Sequence, residues 1–189
     1  MYPVSDAFLR AVRSNTRKYF WTGTIVTKGG MTYEFGAKEI VKGSGYISRQ
    51  CCGSTEIELG TVYAAEMGIT LLSDIDRYTL EDALVTLVFH LVLADGSVED
   101  VPMGVFEVSE ANRLAKCLEL KAYDFMLRFD KSFNGFETVG TAYDFIALCC
   151  KRCKVEFANK RAEIDAMPNG GVSLSVYTEN DIETCRDVL

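Results

Sequence analysis

The chain has 189 residues, 48% of them hydrophobic, enough to bury roughly 70% of the surface its unfolded form exposes without help from disulfides. No apolar run reaches the ~20 residues of a membrane span, and the start, MYPVSDAFLRAVRSN, has no signal-peptide core, so we expect synthesis in a cytoplasm. Net charge is −7 and uneven: residues 1–50 carry eight Lys/Arg against three Asp/Glu, residues 51–110 one against twelve, and residues 111–189 eleven against twelve, an acidic middle that argues against reading nucleic acid.

In chain order, Ser5 is a good N-cap for a short helix with Ala7, Phe8, Ala11 and Val12 on one face, stopped by Ser14-Asn15. RKYFWTGTIVT is a strand, Lys28-Gly29-Gly30 a turn and MTYEF the returning strand, a hairpin over Arg17 to Phe35. Ala37 to Val41 is a link, and Gly43-Ser44-Gly45 opens the strand GYISRQC. Ile57 to Leu72 is the longest extended candidate. Its apolar phase flips near Ala65-Glu66, as a bulge or barrel corner would produce. Asp74-Ile75-Asp76 is a turn, Ala83 to Leu93 an apolar strand, Ala94-Asp95-Gly96-Ser97 a turn, and VEDVPMGVFEV the return. About seven short strands suggest a sandwich or small barrel.

Val101 to Asp130 changes character. Val101, Met103 and Val105, then, past a break at Ser109 to Arg113, Leu114, Cys117 and Leu118, alternate as buried strand positions. From Ala122 the period lengthens: Phe125, Met126 and Phe129 lie at helical spacing, with Asp124 near the start, so a boundary falls near Lys121. Lys131 to Gly140 reads as a polar loop and Thr141 to Lys154 as an amphipathic helix with Tyr143, Ile146, Ala147 and Cys150 on one face. Pro168-Asn169-Gly170-Gly171 is a turn, VSLSVY a strand, and Thr184 to Asp187 a capping box that starts a helix at Val188-Leu189. A helix starting there suggests the front of a longer protein. The fold class is α+β, mainly antiparallel β: a small β-barrel domain over residues 1–122, then the start of an α/β domain over 123–189.

Candidate chemistry is sparse. His90, the only histidine, sits in VTLVFHLVL with no nucleophile signature and reads as a buried or edge-strand structural residue. The seven cysteines (Cys51-Cys52, Cys117, Cys149-Cys150, Cys153, Cys185) follow no disulfide framework. Cys149 and Cys153 share a helix face, but a closed zinc site needs four ligands, with Cys185 or Cys51-Cys52 supplying the rest, so small core residues is the reading. Asp74 with Asp76 and Glu56 with Glu58 are turn or strand-face pairs, not a glycosidase pair. Gly29-Gly30, Gly43 with Gly45, and Gly170-Gly171 lack the spacing and lysine of a phosphate loop. Tyr19, Phe20 and Trp21 could form a binding patch, yet alternation sends Phe20 to one face and its neighbours to the other. We assign no catalytic, cofactor-binding or metal residue. Basic and acidic stretches on one chain also suit head-to-tail contact between copies.

The order YFWTGTIVTKGGMTYEF, GSGYISRQC, EIELGTVYAAEMGITL, LADGSVEDVPMGVFEVSEANR, LELKAYDFMLRFD resembles the N-terminal region of phage and prophage tail-tip hub proteins, which are similar to the contractile-tail baseplate hub. TAYDFIALCCKRCKVEF, MPNGG and ETCRDVL fall where that family places its next helix, turn and helix start. The resemblance implies a β-barrel followed by an inserted α/β domain, a homotrimeric ring in the full-length protein, and contact with distal tail, tail-tube and tape-measure proteins. It implies a place at the virion tail tip after synthesis in the bacterial cytoplasm, with no sequence-specific nucleic acid and no membrane span. Two other settings are open: a tail-associated cell-wall hydrolase (peptidase) whose catalytic part lies outside this segment, and the hub of a phage-derived secretion spike.

Overall fold

The computed structural model describes residues 2–50, 63–133, 138–176 and 182–189. The chain divides into two compact units, Met1–Ser48 with Ala65–Asp124, and Arg49–Ala64 with Phe125–Leu189.

The first unit holds helix α1 (Asp6–Val12) and strands β1 (Lys18–Val26), β2 (Thr32–Phe35), β3 (Tyr46–Ser48), β4 (Glu66–Leu72), β5 (Leu84–Val92), β6 (Val98–Leu114) and β7 (Cys117–Tyr123). They form one antiparallel sheet in the order β2-β1-β5-β6-β7-β4-β3, so the fold is α+β and mainly antiparallel. Among the described residues no ladder joins β2 to β3. The link after β2 nonetheless adds to the edge of β4: the Val41 N–H donates to the Thr70 carbonyl at 2.9 Å and the Leu72 N–H to the Glu39 carbonyl at 2.7 Å. Phe35 and Glu39 are four residues apart, a reach of at most ~14 Å, whereas five strand spacings in a flat sheet are ~24 Å. The sheet therefore curls.

Ser5 caps α1 as its residue type predicts, accepting from the Phe8 N–H at 3.0 Å, and its own N–H and hydroxyl donate to Glu99 of β6. One sheet face makes the core, with Ile25, Phe35, Met67, Ile69, Leu71, Val85, Leu87, Phe106, Val108, Leu118, Leu120 and Ala122 buried. Cross-strand register explains two glycines. Gly23 lies opposite Phe35 and Gly68 opposite Tyr46, so each edge strand lays an aromatic ring over a glycine of its neighbour. A Cβ at Gly68 would stand 2.2 Å from the Tyr46 ring.

The alternation expected through Val101, Met103 and Val105 is broken by a bulge. Leu87 faces Gly104 and Val88 faces Pro102, with Met103 as the extra residue and Gly104 at φ 128°. The phase flips, so Phe106 and Val108 are buried while Val105 is exposed. The expected break at Ser109 to Arg113 is a second bulge inside one continuous strand: Val108 faces Ala122 and Glu110 faces Lys121, and Ser109 is the extra residue. The phase flips back, placing Ala111 against the core and Leu114 in solvent rather than inside. Strand β7 also continues past Lys121, pairing Tyr123 with Glu66 and Glu107. Of the extended candidate Ile57 to Leu72, residues 57–62 lie outside the described residues, and β4 begins at Glu66.

Past Asp124 the second unit has a 3₁₀ turn at Phe125–Asp130, then β8 (Thr138–Gly140), helices α2 (Ala142–Cys153) and α3 (Arg161–Asp165), and β9 (Leu174–Val176), which pairs antiparallel with β8. Strand β8 ends the stretch expected to be loop, and α3 is too short to show a period. The buried face of α2 centres on Phe145, Cys149, Cys150 and Cys153, one position round from the expected stripe, with Tyr143 and Ile146 half-buried at its margin. These thiols pack with Phe129, Phe133 and Cys185. The terminal segment is held by Cys185 N–H to Lys131 carbonyl and Arg186 N–H to Phe129 carbonyl, both 2.9 Å. The Thr184 box is formed, Asp187 Oδ2 accepting from the Thr184 N–H at 2.7 Å, but residues 186–188 form a turn where a helix start at Val188-Leu189 is expected.

Asp144 anchors the start of α2, accepting from the Thr141 N–H at 2.9 Å and pairing with Arg161. The Arg161 guanidinium and the Thr141 donors hold its carboxyl down to about 2, against 3.8 for an ordinary Asp. The unfolded state therefore binds the proton first, so this contribution is full above about pH 4 and is lost as pH falls toward about 2. Asp144→Asn is expected to flatten the loss of helical circular dichroism across that window. An unchanged acid profile would contradict the assignment.

Candidate functional site

The exposed face of the sheet holds the most organised polar groups. Outward positions of β1, β5 and β6 bring Phe20 opposite His90 and His90 opposite Asp100. His90 Nδ1 lies 2.6 Å from Asp100 Oδ1, and its Nε2 lies 2.7 Å from Thr22 Oγ1. Facing a carboxylate, Nδ1–H donates to Asp100, while Nε2 shares a hydrogen bond with the Thr22 hydroxyl. The imidazole stacks on Phe20, ring centroids 4.5 Å apart and 11° from parallel, and is 14% exposed. His90 is half-buried on a strand flanked by β1 and β6, neither fully buried nor at an edge.

A carboxylate, an imidazole and a hydroxyl in sequence are the parts of a nucleophile relay. Their setting works against that chemistry. Thr22 lines an open groove with Gly36, Thr86 and the carboxylates Glu34 and Glu39. An acyl-transfer intermediate needs donors aimed at its oxyanion, and two negative side chains oppose the charge that would develop there.

On the same face, three strands away, Glu66 gathers Tyr46, Tyr123 and Lys121. The Tyr46 O–H donates to Oε1 at 2.6 Å, the Tyr123 O–H to Oε2 at 3.1 Å, and Lys121 Nζ lies 3.3 Å from Oε2. The Tyr46 hydrogen bond holds the Glu66 carboxyl below its usual range, and Glu66 in turn raises the Tyr46 phenol. This is a cross-strand clamp on the short edge strand β3. Gly68→Ala, by pushing the Tyr46 ring away, is expected to return that phenol toward its ordinary pKa in an ultraviolet titration; an unshifted titration would contradict the clamp.

The cysteines do gather, though in a way spacing alone could not establish. Cys149 and Cys153 both contact Cys185, and burial, with Cys185 adding to it, pushes their thiols up to about 12 and about 11. Protonated at neutral pH, they are poor nucleophiles. Among the described residues no three His, Cys, Asp or Glu side chains are placed to hold a metal ion together. Cys51-Cys52 and the pair Glu56 and Glu58 lie outside the described residues. Asp76 caps a 3₁₀ turn, accepting from the Tyr78 N–H at 3.1 Å, while Asp74 is exposed beside it.

Register also sorts the charges. Glu34, Glu66, Asp100, Glu107, Glu110 and Glu119 all take outward positions, opposite in phase to the core residues. The sheet is thus apolar on one face and acidic on the other. Among the described residues no helix is long and apolar enough to cross a membrane.

No family model and no curated protein matches the chain. Among solved structures it is similar to a chain described as "Virion of native gene transfer agent (GTA) particle", with 13% identity, a TM-score of 0.45 and coverage of 73% of this chain. The chain spans about half of that one, 51% of its length.

Proposed function

We propose that this chain is a structural part of a phage or prophage tail tip, belonging to a hub that joins the tail tube to distal parts as a homotrimeric ring. Its segment order resembles that of such hubs. The observation that supports the reading best is the curled antiparallel sheet whose exposed face is acidic, since a surface beside a channel for DNA should not hold phosphate. Short edge strands at both ends of the sheet offer ladder groups for subunit contacts.

Deleting the full-length gene and imaging the particles by electron microscopy tests the role. The expected result is heads without tails, or tails without a tip. Complete particles that attach but fail to breach the cell wall would overturn the structural reading in favour of a hydrolase carrier. The purified chain, incubated with bacterial cell wall, is expected to release no soluble fragments; steady release that His90→Ala abolishes would contradict the account.

A further inference from the structure

Strand β2 pairs only with Gly23–Val26 of β1, whereas β5 pairs with the whole of Lys18–Val26. Among the described residues, the other side of Lys18 to Thr22 therefore keeps a row of ladder N–H and C=O groups that no strand takes up. That half-edge borders a groove of about 550 Å³ lined by Arg17, Lys18, Tyr19, Trp21, Ile40 and Lys42, among others. Among the described residues no carboxylate lines it. Among the described residues neither Lys18 nor Lys42 has an ion-pair partner, and both are exposed. Tyr19 is 52% exposed, and Trp21 presents a half-buried indole whose N–H has no acceptor among the described residues.

The volume falls within the ~300–1,000 Å³ of ordinary ligand clefts. Among the described residues its charged side chains are all donors, its walls are aromatic, and its floor is a strand edge that no described strand pairs with. An open edge accepts an extended segment through main-chain hydrogen bonds, with side-chain pockets setting the choice. Cations at both sides of the groove select carboxylates, and the rings of Tyr19 and Trp21 select apolar groups between them. A nucleic acid would meet the same cations and rings, but its long run of phosphates would also meet the acidic face of this −7 chain.

We propose that the half-edge Lys18–Thr22 with Lys42 is a docking site for an extended acidic segment of a partner protein, which joins the sheet as an added strand. This does not depend on the hub reading: it follows from the edge and the groove.

Trp21 is the only tryptophan, so its fluorescence reports on the groove directly. The probe is acetyl-Asp-Val-Glu-Val-Asp-amide, titrated into the whole chain. Saturable quenching is expected, weakened by salt and by about tenfold or more in Lys18→Glu/Lys42→Glu. A version of the peptide N-methylated at alternate amides should lose binding, because it cannot extend the ladder. Both lysines are exposed, so the double variant should keep the wild-type urea midpoint, which separates lost binding from lost fold. Absence of quenching at millimolar peptide, equal binding by the double variant, or tolerance of N-methylation would overturn the proposal. So would tighter binding of a ten-nucleotide oligothymidylate than of the peptide, which would make this a nucleic-acid site.

Discussion

Phe106→Ala is expected to cost about 4 kcal/mol of stability, the order seen when a buried aromatic leaves a cavity that its neighbours only partly fill. Phe106 is 1% exposed and packs in the main core. For a chain of this size, that loss lowers the melting temperature by roughly 10 °C. Val105→Ala, one residue away, is expected to cost less than about 1 kcal/mol, because Val105 is 39% exposed on the opposite face. Trp21 emission during urea unfolding follows the first unit specifically, since Trp21 lies in β1 and packs against that core. The pair of variants reads the strand phase. If Val105→Ala proved the costlier change, the bulge at Met103 would be wrong and the alternation through Val101, Met103 and Val105 would hold across the whole strand.

Gly23→Ala is expected to cost about 3 kcal/mol, at the upper end of overpacking in a filled core. A Cβ there would stand 2.4 Å from Phe35 Cζ and 2.6 Å from the Thr86 carbonyl oxygen. The ring could move, but the carbonyl belongs to the ladder of β5 and has little freedom. Shortening the ring in Gly23→Ala/Phe35→Leu should therefore recover part of the loss and leave the remainder, a coupling that a double-mutant cycle isolates. Full recovery would show that the strand backbone yields more readily than this geometry implies. A loss below about 1 kcal/mol in the single variant would show that β2 is not held over Gly23 at all.

The hairpins were legible because turn chemistry is local. Lys28-Gly29-Gly30 and Ala94 to Ser97 mark their turns by residue type, and the strands on either side follow from their β-branched and aromatic residues. The bulges at Met103 and Ser109 were not legible, because a bulge is defined by the partner strand, and nothing in one strand's composition states which residue its partner skips. Hence Val105 and Leu114 fell on the wrong face in the sequence reading. The stripe of α2 fell one position off for a different reason: apolar residues lie on both sides of it, and Cys185, 36 positions beyond Cys149 and 32 beyond Cys153, decides which side is covered.

The polar cluster was half legible. Counting outward from the Asp95-Gly96 turn pairs Val92 with Val98 and so His90 with Asp100, and that arithmetic was open to a sequence reader. Thr22 was not, since only the pairing of β1 with β5 brings it to His90. The groove beside Trp21 was hidden for the same reason. The patch of Tyr19, Phe20 and Trp21 was visible in the sequence and so was its split between two faces, but the unpaired half-edge depends on β2 stopping four residues into its ladder.

The most direct test of the hub proposal is to image purified particles with an antibody raised against this chain. The account predicts label at the tail tip alone, with averaged images of that region showing a threefold ring that has the acidic sheet face toward its channel. Label on heads or along the tail tube, or a ring with Glu34, Glu66, Asp100, Glu107, Glu110 and Glu119 on its outer surface, would contradict it.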